Sequence, residues 1–168
     1  MSRSYDFSVE SPVTLEQIHL AFSEEKYWLA RLAEIGGIGK LDSFDIGTDG
    51  AVHLVVVQDL RHDALPPLFA RLYPRDLEIV QDATWSLISD DLVRGEAKIV
   101  ARGAIGSAKL GTDFLAPAQN RSRLNCTATV DVKVPLVGGK LESLLGRQTV
   151  EETPAMLRFT AKWISENA

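Results

Sequence analysis

A single cysteine, Cys126, is all the thiol this chain carries. No disulfide within the chain is possible, and a reducing, cytoplasmic setting is the expectation. No run approaches the ~18 apolar residues of a membrane span, and the opening MSRSYDFSVE lacks the apolar stretch of a secretion signal. The acceptor-like triplets at Asn120 and Asn125 are therefore read as chance. Lys and Arg form no cluster, and the net charge is −5. That argues against nucleic-acid binding and gives little attraction to an anionic membrane surface. His19, His53 and His62 have no metal-ligand spacing, so no metal is expected, and no cofactor motif is present. A G-x-S-x-G elbow is missing, and GGIGK at Gly36–Lys40 lacks the spacing of a phosphate loop. Low-complexity tracts, linkers and internal repeats are also missing. With 45% hydrophobic and 24% charged residues, residues 1–168 read as one globular domain.

What is present is periodicity. Residues 4–10 alternate, with Tyr5, Phe7 and Val9 on one face, which predicts a strand. Pro12 ends it, and Thr14 caps a helix carrying Leu15, Ile18, Ala21 and Phe22. A second helix is expected from Glu24 to Ile35, with Trp28, Leu29, Leu32 and Ile35 as its stripe, stopped by Gly36-Gly37. A hairpin follows, with Phe44 and Ile46 in one arm, Val52 to Val57 in the other and Asp49-Gly50 in a tight turn. Pro66-Pro67 opens a short helix that Pro74 closes. Strands are then expected at 77–88, 92–101, 104–116 and 122–134. The last is the cleanest, with Leu124, Cys126, Ala128, Val130, Val132 and Val134 on one face. A helical pattern fills the remainder. Pro154 inside it predicts a kink or a restart near Glu151–Pro154, with Thr153 as the new cap. The class is α+β: an antiparallel sheet of six to seven strands with helices gathered on one face, two short ones after the first strand and a long one at the C-terminus.

This order of elements resembles the START-like superfamily, the helix-grip fold shared with pollen-allergen and polyketide-cyclase relatives. The junction VPLVGGKLESLLG at Val134–Gly146, the early EEKYWLARLAEIGG and the central Trp85 resemble an uncharacterised actinobacterial family within it. The resemblance spans nearly the whole chain. It implies a curved sheet wrapped around the C-terminal helix, and it carries over no catalytic residue.

Two patterns point to a cavity between sheet and helix. Wound at about 100° per residue, the last helix gathers Val137, Leu141, Leu144, Leu145, Ala155, Met156, Phe159 and Trp163 on one face, with Gln148 and Glu152 inside the stripe. Along the strands, Gly95, Ala97, Ala101, Ala104, Gly106, Ala108, Cys126 and Ala128 fall on inward faces and are small. Small residues facing a helix either allow close approach or leave volume for a ligand. The expected lining is Trp85, Ala97, Ala108, Leu110, Phe114, Leu141, Leu145, Gln148, Glu152 and Met156. Glu152 is the one candidate acid, because an apolar cavity raises a carboxyl pKa toward proton-transfer use; a half-exposed glutamate near the Pro154 restart is the alternative reading and the preferred one. His53 shares a strand face with Val55 and Val57 and is a lesser candidate. The buried thiol of Cys126 reads as inert packing. Three functions fit: binding of a small hydrophobic, lipid-like or polyketide-like ligand; a cyclase, aromatase or dehydratase using the same cavity; or a ligand-free protein-interaction domain. The first is the preferred expectation.

Overall fold

The strand with the cleanest alternation sets the register for the rest. In the computed structural model, which describes residues 2–34, 39–64, 67–73, 75–102, 107–118, 121–132, 136 and 138–167, this strand is β7, Arg121–Val132. Ser122, Leu124, Cys126, Ala128, Val130 and Val132 are all buried, and the residues between them are exposed or half-buried. A period of two can hide one set of side chains only if every neighbour keeps the same phase. β1 (Ser2–Ser11) and β6 (Ser107–Ala118) do so on either side, pairing Ala128 with Tyr5 and with Gly111.

β2 (Gly39–Ile46), β3 (Val52–Leu60), β4 (Leu77–Ser89) and β5 (Leu92–Arg102) complete one antiparallel sheet in the order β1-β7-β6-β5-β4-β3-β2. The first strand in sequence therefore pairs with the last. Their outer faces are stitched by polar contacts: Ser4 to Thr129 at 3.0 Å, Thr127 to Asp6 at 2.7 Å, and Arg123 to Glu10 at 2.7 Å. The Arg123 guanidinium holds the Glu10 carboxyl below the usual carboxylate range.

The β2–β3 connection is wider than the two-residue turn expected at Asp49-Gly50. Gly47 N–H donates to the Ala51 carbonyl at 2.8 Å, and Gly50 N–H donates to the Gly47 carbonyl at 3.0 Å. Gly50 takes φ +82°, which closes a three-residue loop over Thr48–Gly50.

Three helices sit between strands. α1 (Leu15–Phe22) begins at Thr14, as its sequence predicts. Thr14 Oγ1 accepts the Gln17 N–H at 3.3 Å, and Gln17 Oε1 accepts the Thr14 N–H at 2.9 Å, a reciprocal cap. α2 (Glu25–Glu34) buries Tyr27, Trp28 and Leu32, while Leu29 of the expected stripe is exposed. The expected stop at Gly36-Gly37 lies outside the described residues. α3 (Pro67–Leu72) follows a short 3-10 turn at His62–Ala64.

α4 (Gly138–Asn167) is unbroken through Pro154. No restart occurs, and Thr153 does not cap: its hydroxyl donates to the Thr149 carbonyl at 2.9 Å. The buried stripe of α4 also differs from the expected one. Leu141, Glu142, Gly146, Leu157 and Thr160 are buried, whereas Ala155 is exposed and Met156, Phe159 and Trp163 are half-buried. At ~100° per residue this is a rotation of about a quarter turn. The cause is steric. α4 packs on β1 and β7, and a Cβ on Gly146 would overlap the Tyr5 ring. The helix can approach Tyr5 this closely only where it carries a glycine.

A methyl group has opposite effects at two glycines of α4. Alanine is the better helix former by about 1 kcal/mol, but at position 146 overlap with Tyr5 outweighs this. Gly146→Ala is expected to lower the unfolding free energy by about 1–2 kcal/mol. Gly139→Ala, where the added carbon meets only Arg3 Nη2 at 3.5 Å, is expected to raise it. Urea titration of the two variants checks the signs. Pro154→Ala restores the donor that the Val150 carbonyl lacks within the helix, and should add about 1–3 kcal/mol; a lowered denaturation midpoint would refute this.

Candidate functional site

Ladder rows crossing the sheet define its inward face. One row runs Val52–Trp85–Gly95–Asp113–Cys126–Phe7. The next runs Leu54–Ala83–Ala97–Gly111–Ala128–Tyr5, and a third Val56–Gln81–Ile99–Lys109–Val130–Arg3. A shorter fourth holds Gln58, Ile79 and Ala101.

Burial changes along this face. In the first two rows Val52, Leu54, Ala83, Trp85 and Gly95 are buried. Towards the other end Ala97, Ile99, Ala101, Ile79, Gln81 and Gln58 are only half-buried, although they point the same way, while Val56 and Val130 of the third row and Leu77 beyond the fourth are buried. The covered end is filled by aromatic rings. Trp85 lies flat on Gly95, where a Cβ would fall 2.5–2.7 Å from three indole carbons. Phe22 packs on Trp85 with centroids 4.8 Å apart, and Tyr27 meets Trp163 edge-on at 5.4 Å. The Tyr27 and Thr160 hydroxyls share a 2.6 Å hydrogen bond, and the Trp28 indole N–H donates to the Phe22 carbonyl at 2.8 Å. α4 packs on β1 and β7, and the half-buried inward residues of β4 and β5 keep part of their surface exposed.

The expected lining residues divide accordingly. Trp85 belongs to the filled core. Ala97 is half-buried at the boundary, Leu141 is buried and Leu145 half-buried on α4, and Met156 packs against the core cluster. Gln148 and Glu152 are exposed and bonded to each other at 2.8 Å. By helical phase they share the face of Phe159 and Trp163.

Ala108, Leu110 and Phe114 pair with Asp131, Thr129 and Asn125 of β7 in the backbone ladder, and their side chains lie outside the described residues. Ala104 and Gly106 lie outside the described residues.

His53 also faces outward, since Val52, Leu54 and Val56 are the buried set. Its Nε2 is 2.8 Å from Asp82 Oδ1. His62 Nε2 is 2.9 Å from the Ala70 carbonyl oxygen. Burial pushes the His19 ring pKa down. Among the described residues no three His, Cys, Asp or Glu side chains gather as metal ligands.

The buried acid of α4 is Glu142, at 1% exposure, and not Glu152. Its Oε2 accepts the Val132 N–H at 3.1 Å, and its own carbonyl accepts the Tyr5 hydroxyl at 3.4 Å. The sequence signal was its place just after Gly138-Gly139, where the helix must turn back on the strand it follows. A separate groove of about 190 Å³ lies where Val9 of β1 and Pro12 just beyond it meet Pro154, Leu157 and Arg158 of α4.

The chain matches the family described as protein of unknown function (DUF2505) over residues 6–164. An uncharacterised protein of Mycobacterium tuberculosis is 35% identical over 177 residues, covering 99% of each chain. Two solved structures share the fold at low identity. An uncharacterised protein of Rhizobium leguminosarum superposes with a TM-score of 0.61 at 12% identity, covering 99% of this chain and 96% of that one. Norcoclaurine synthase of Thalictrum flavum, in complex with dopamine and hydroxybenzaldehyde, gives 0.55 at 14% identity, covering 100% and 89%. The helix-grip, START-like architecture read from the sequence is borne out.

Equal truncations at the two ends should differ in cost. Leu54→Ala empties a packed site and is expected to cost about 2–5 kcal/mol. Ile99→Ala, at the open end, should cost under about 1.5 kcal/mol. Equal losses in chemical denaturation would mean that no open end exists.

Proposed function

The chain belongs to the DUF2505 family, and we propose that it binds a small hydrophobic ligand in the concave space between the open end of its sheet and the N-terminal half of α4. The observation that carries this reading is the burial gradient. Ile79, Ile99 and Ala101 face inward yet keep part of their surface exposed, and apolar surface in a concavity is the part of a fold that a hydrophobic ligand covers. The solved norcoclaurine synthase, a protein of this architecture, holds dopamine and hydroxybenzaldehyde, which supports a small-molecule role for the scaffold.

Of the lining expected from the sequence, Ala97, Leu141 and Leu145 remain in the proposed wall, with Gln148 and Glu152 at its rim. Trp85 and Met156 form the floor where the aromatic core begins. Lipid-like and polyketide-like molecules both suit such a wall. A cytoplasmic setting fits the single buried thiol, Cys126, and residues 1–168 act in this reading as one domain. No helix among the described residues is long and apolar enough to cross a membrane.

Titration with N-phenyl-1-naphthylamine, a neutral apolar fluorophore, tests the reading. Saturable binding with one site per chain is expected. Ala101→Trp, which fills the open end, should weaken it at least tenfold while the protein stays folded by circular dichroism. Unchanged affinity in that variant would place the probe elsewhere and defeat the proposal.

A further inference from the structure

The groove between the end of β1 and the second half of α4 lies apart from the sheet concavity. Its volume is about 190 Å³, which at about 30 Å³ per water is room for about six waters or one small solute. Val9 and Pro12 form one wall, and Pro154 and Leu157 form the other. Its polar groups are in unequal states. Ser11 also lines the groove, is 2% exposed, and has no hydrogen-bond partner for its Oγ among the described residues. Ser122, its cross-strand partner on β7, is buried too, but donates its hydroxyl to the Val13 carbonyl at 2.8 Å.

Two charges border the same space. The Glu10 carboxylate is answered by Arg123 at 2.7 Å. Arg158 is exposed and forms no ion pair with another described residue. A buried hydroxyl without a partner costs free energy, and folded proteins satisfy such groups with water or with a ligand. Water would satisfy Ser11 and nothing more. Apolar walls with an uncommitted guanidinium at their edge fit a solute that has an apolar body and an anionic head.

We propose that this groove binds a short aliphatic carboxylate. Its carboxylate accepts hydrogen bonds from the Ser11 hydroxyl and the Arg158 guanidinium, and its hydrocarbon lies between the two proline rings, against Val9 and Leu157. The small volume limits the body to a short chain. Glu10 does not compete for Arg158, because Arg123 already holds it. The chain as a whole carries net charge −5, so selection of an anion has to come from a local cation and not from the overall field. The site is separate from the sheet concavity and does not rest on the binding reading given for it.

Isovalerate and its neutral isostere isovaleramide, titrated into isotope-labelled protein and followed by amide chemical shifts, test the proposal. Isovalerate is expected to shift the Ser11, Leu157, Arg158 and Ala161 amides saturably, and to bind about tenfold more tightly than the amide. Arg158→Gln should erase this preference. Arg147→Gln removes an equal charge from the same face of α4, three turns and about 16 Å away, and should leave it intact. Ser11→Ala separates a ligand contact from a contact within the fold. Deleting an unpartnered hydroxyl should leave the melting temperature unchanged or raised, while isovalerate affinity falls. A lowered melting temperature with unchanged affinity would mean that structural water satisfies Ser11, and would overturn the proposal. So would equal affinity for acid and amide, a preference that survives Arg158→Gln, or the absence of saturable shifts at the groove.

Discussion

The close contact of α4 with the β1–β7 pair decides the shape of everything else. Gly146 lets the helix backbone reach the Tyr5 ring, and Glu142, about one turn from the helix start, takes the N–H at the end of β7. A buried carboxylate is tolerated when it is hydrogen-bonded, and here it ties the last strand to the helix that follows it. Because the helix is drawn to one edge of the sheet, it cannot also lie over the middle. The aromatic side chains of α1 and α2 cover part of the concave surface of β3 to β5. In the proposed reading, the cavity follows from where the helix is fastened, more than from the size of the residues beneath it.

Two kinds of residue hold the far end of that helix. Tyr27, Phe159 and Trp163 supply apolar area, and Thr160 supplies a hydrogen bond, to the Tyr27 hydroxyl. Threonine is well suited to a buried helix face. Thr160 also donates to the Met156 carbonyl one turn back at 2.9 Å, so its hydroxyl needs no water. Thr149 and Thr153 use the same device on the half-buried part of the stripe.

Most of the architecture was legible because β7, β5 and β1 alternate without error, and because Thr14-x-x-Gln17 and the glycine pair before α4 punctuate the helices. The site was less legible. Helix phase read from the largest apolar residues assumes that they face the sheet, whereas the buried residues of α4 include Glu142, Gly146 and Thr160 beside Leu141 and Leu157, so the interior acid is Glu142 and the candidate Glu152 is exposed. A residue that breaks the local pattern, as Glu142 does, is where local preference and tertiary demand disagree.

The pairing of the first strand with the last has a bearing on synthesis. As the chain leaves the ribosome, β1 emerges with one apolar side and no neighbour, and it stays so until residues 121–132 have been made. The hairpins of β2 to β5 form meanwhile from contacts close in sequence, which are fast. The nascent chain thus carries an unpaired, half-apolar edge for most of its translation, a template for misassociation with other chains. Arg3, Asp6 and Glu10, set at intervals along that strand, guard it by charge during this interval.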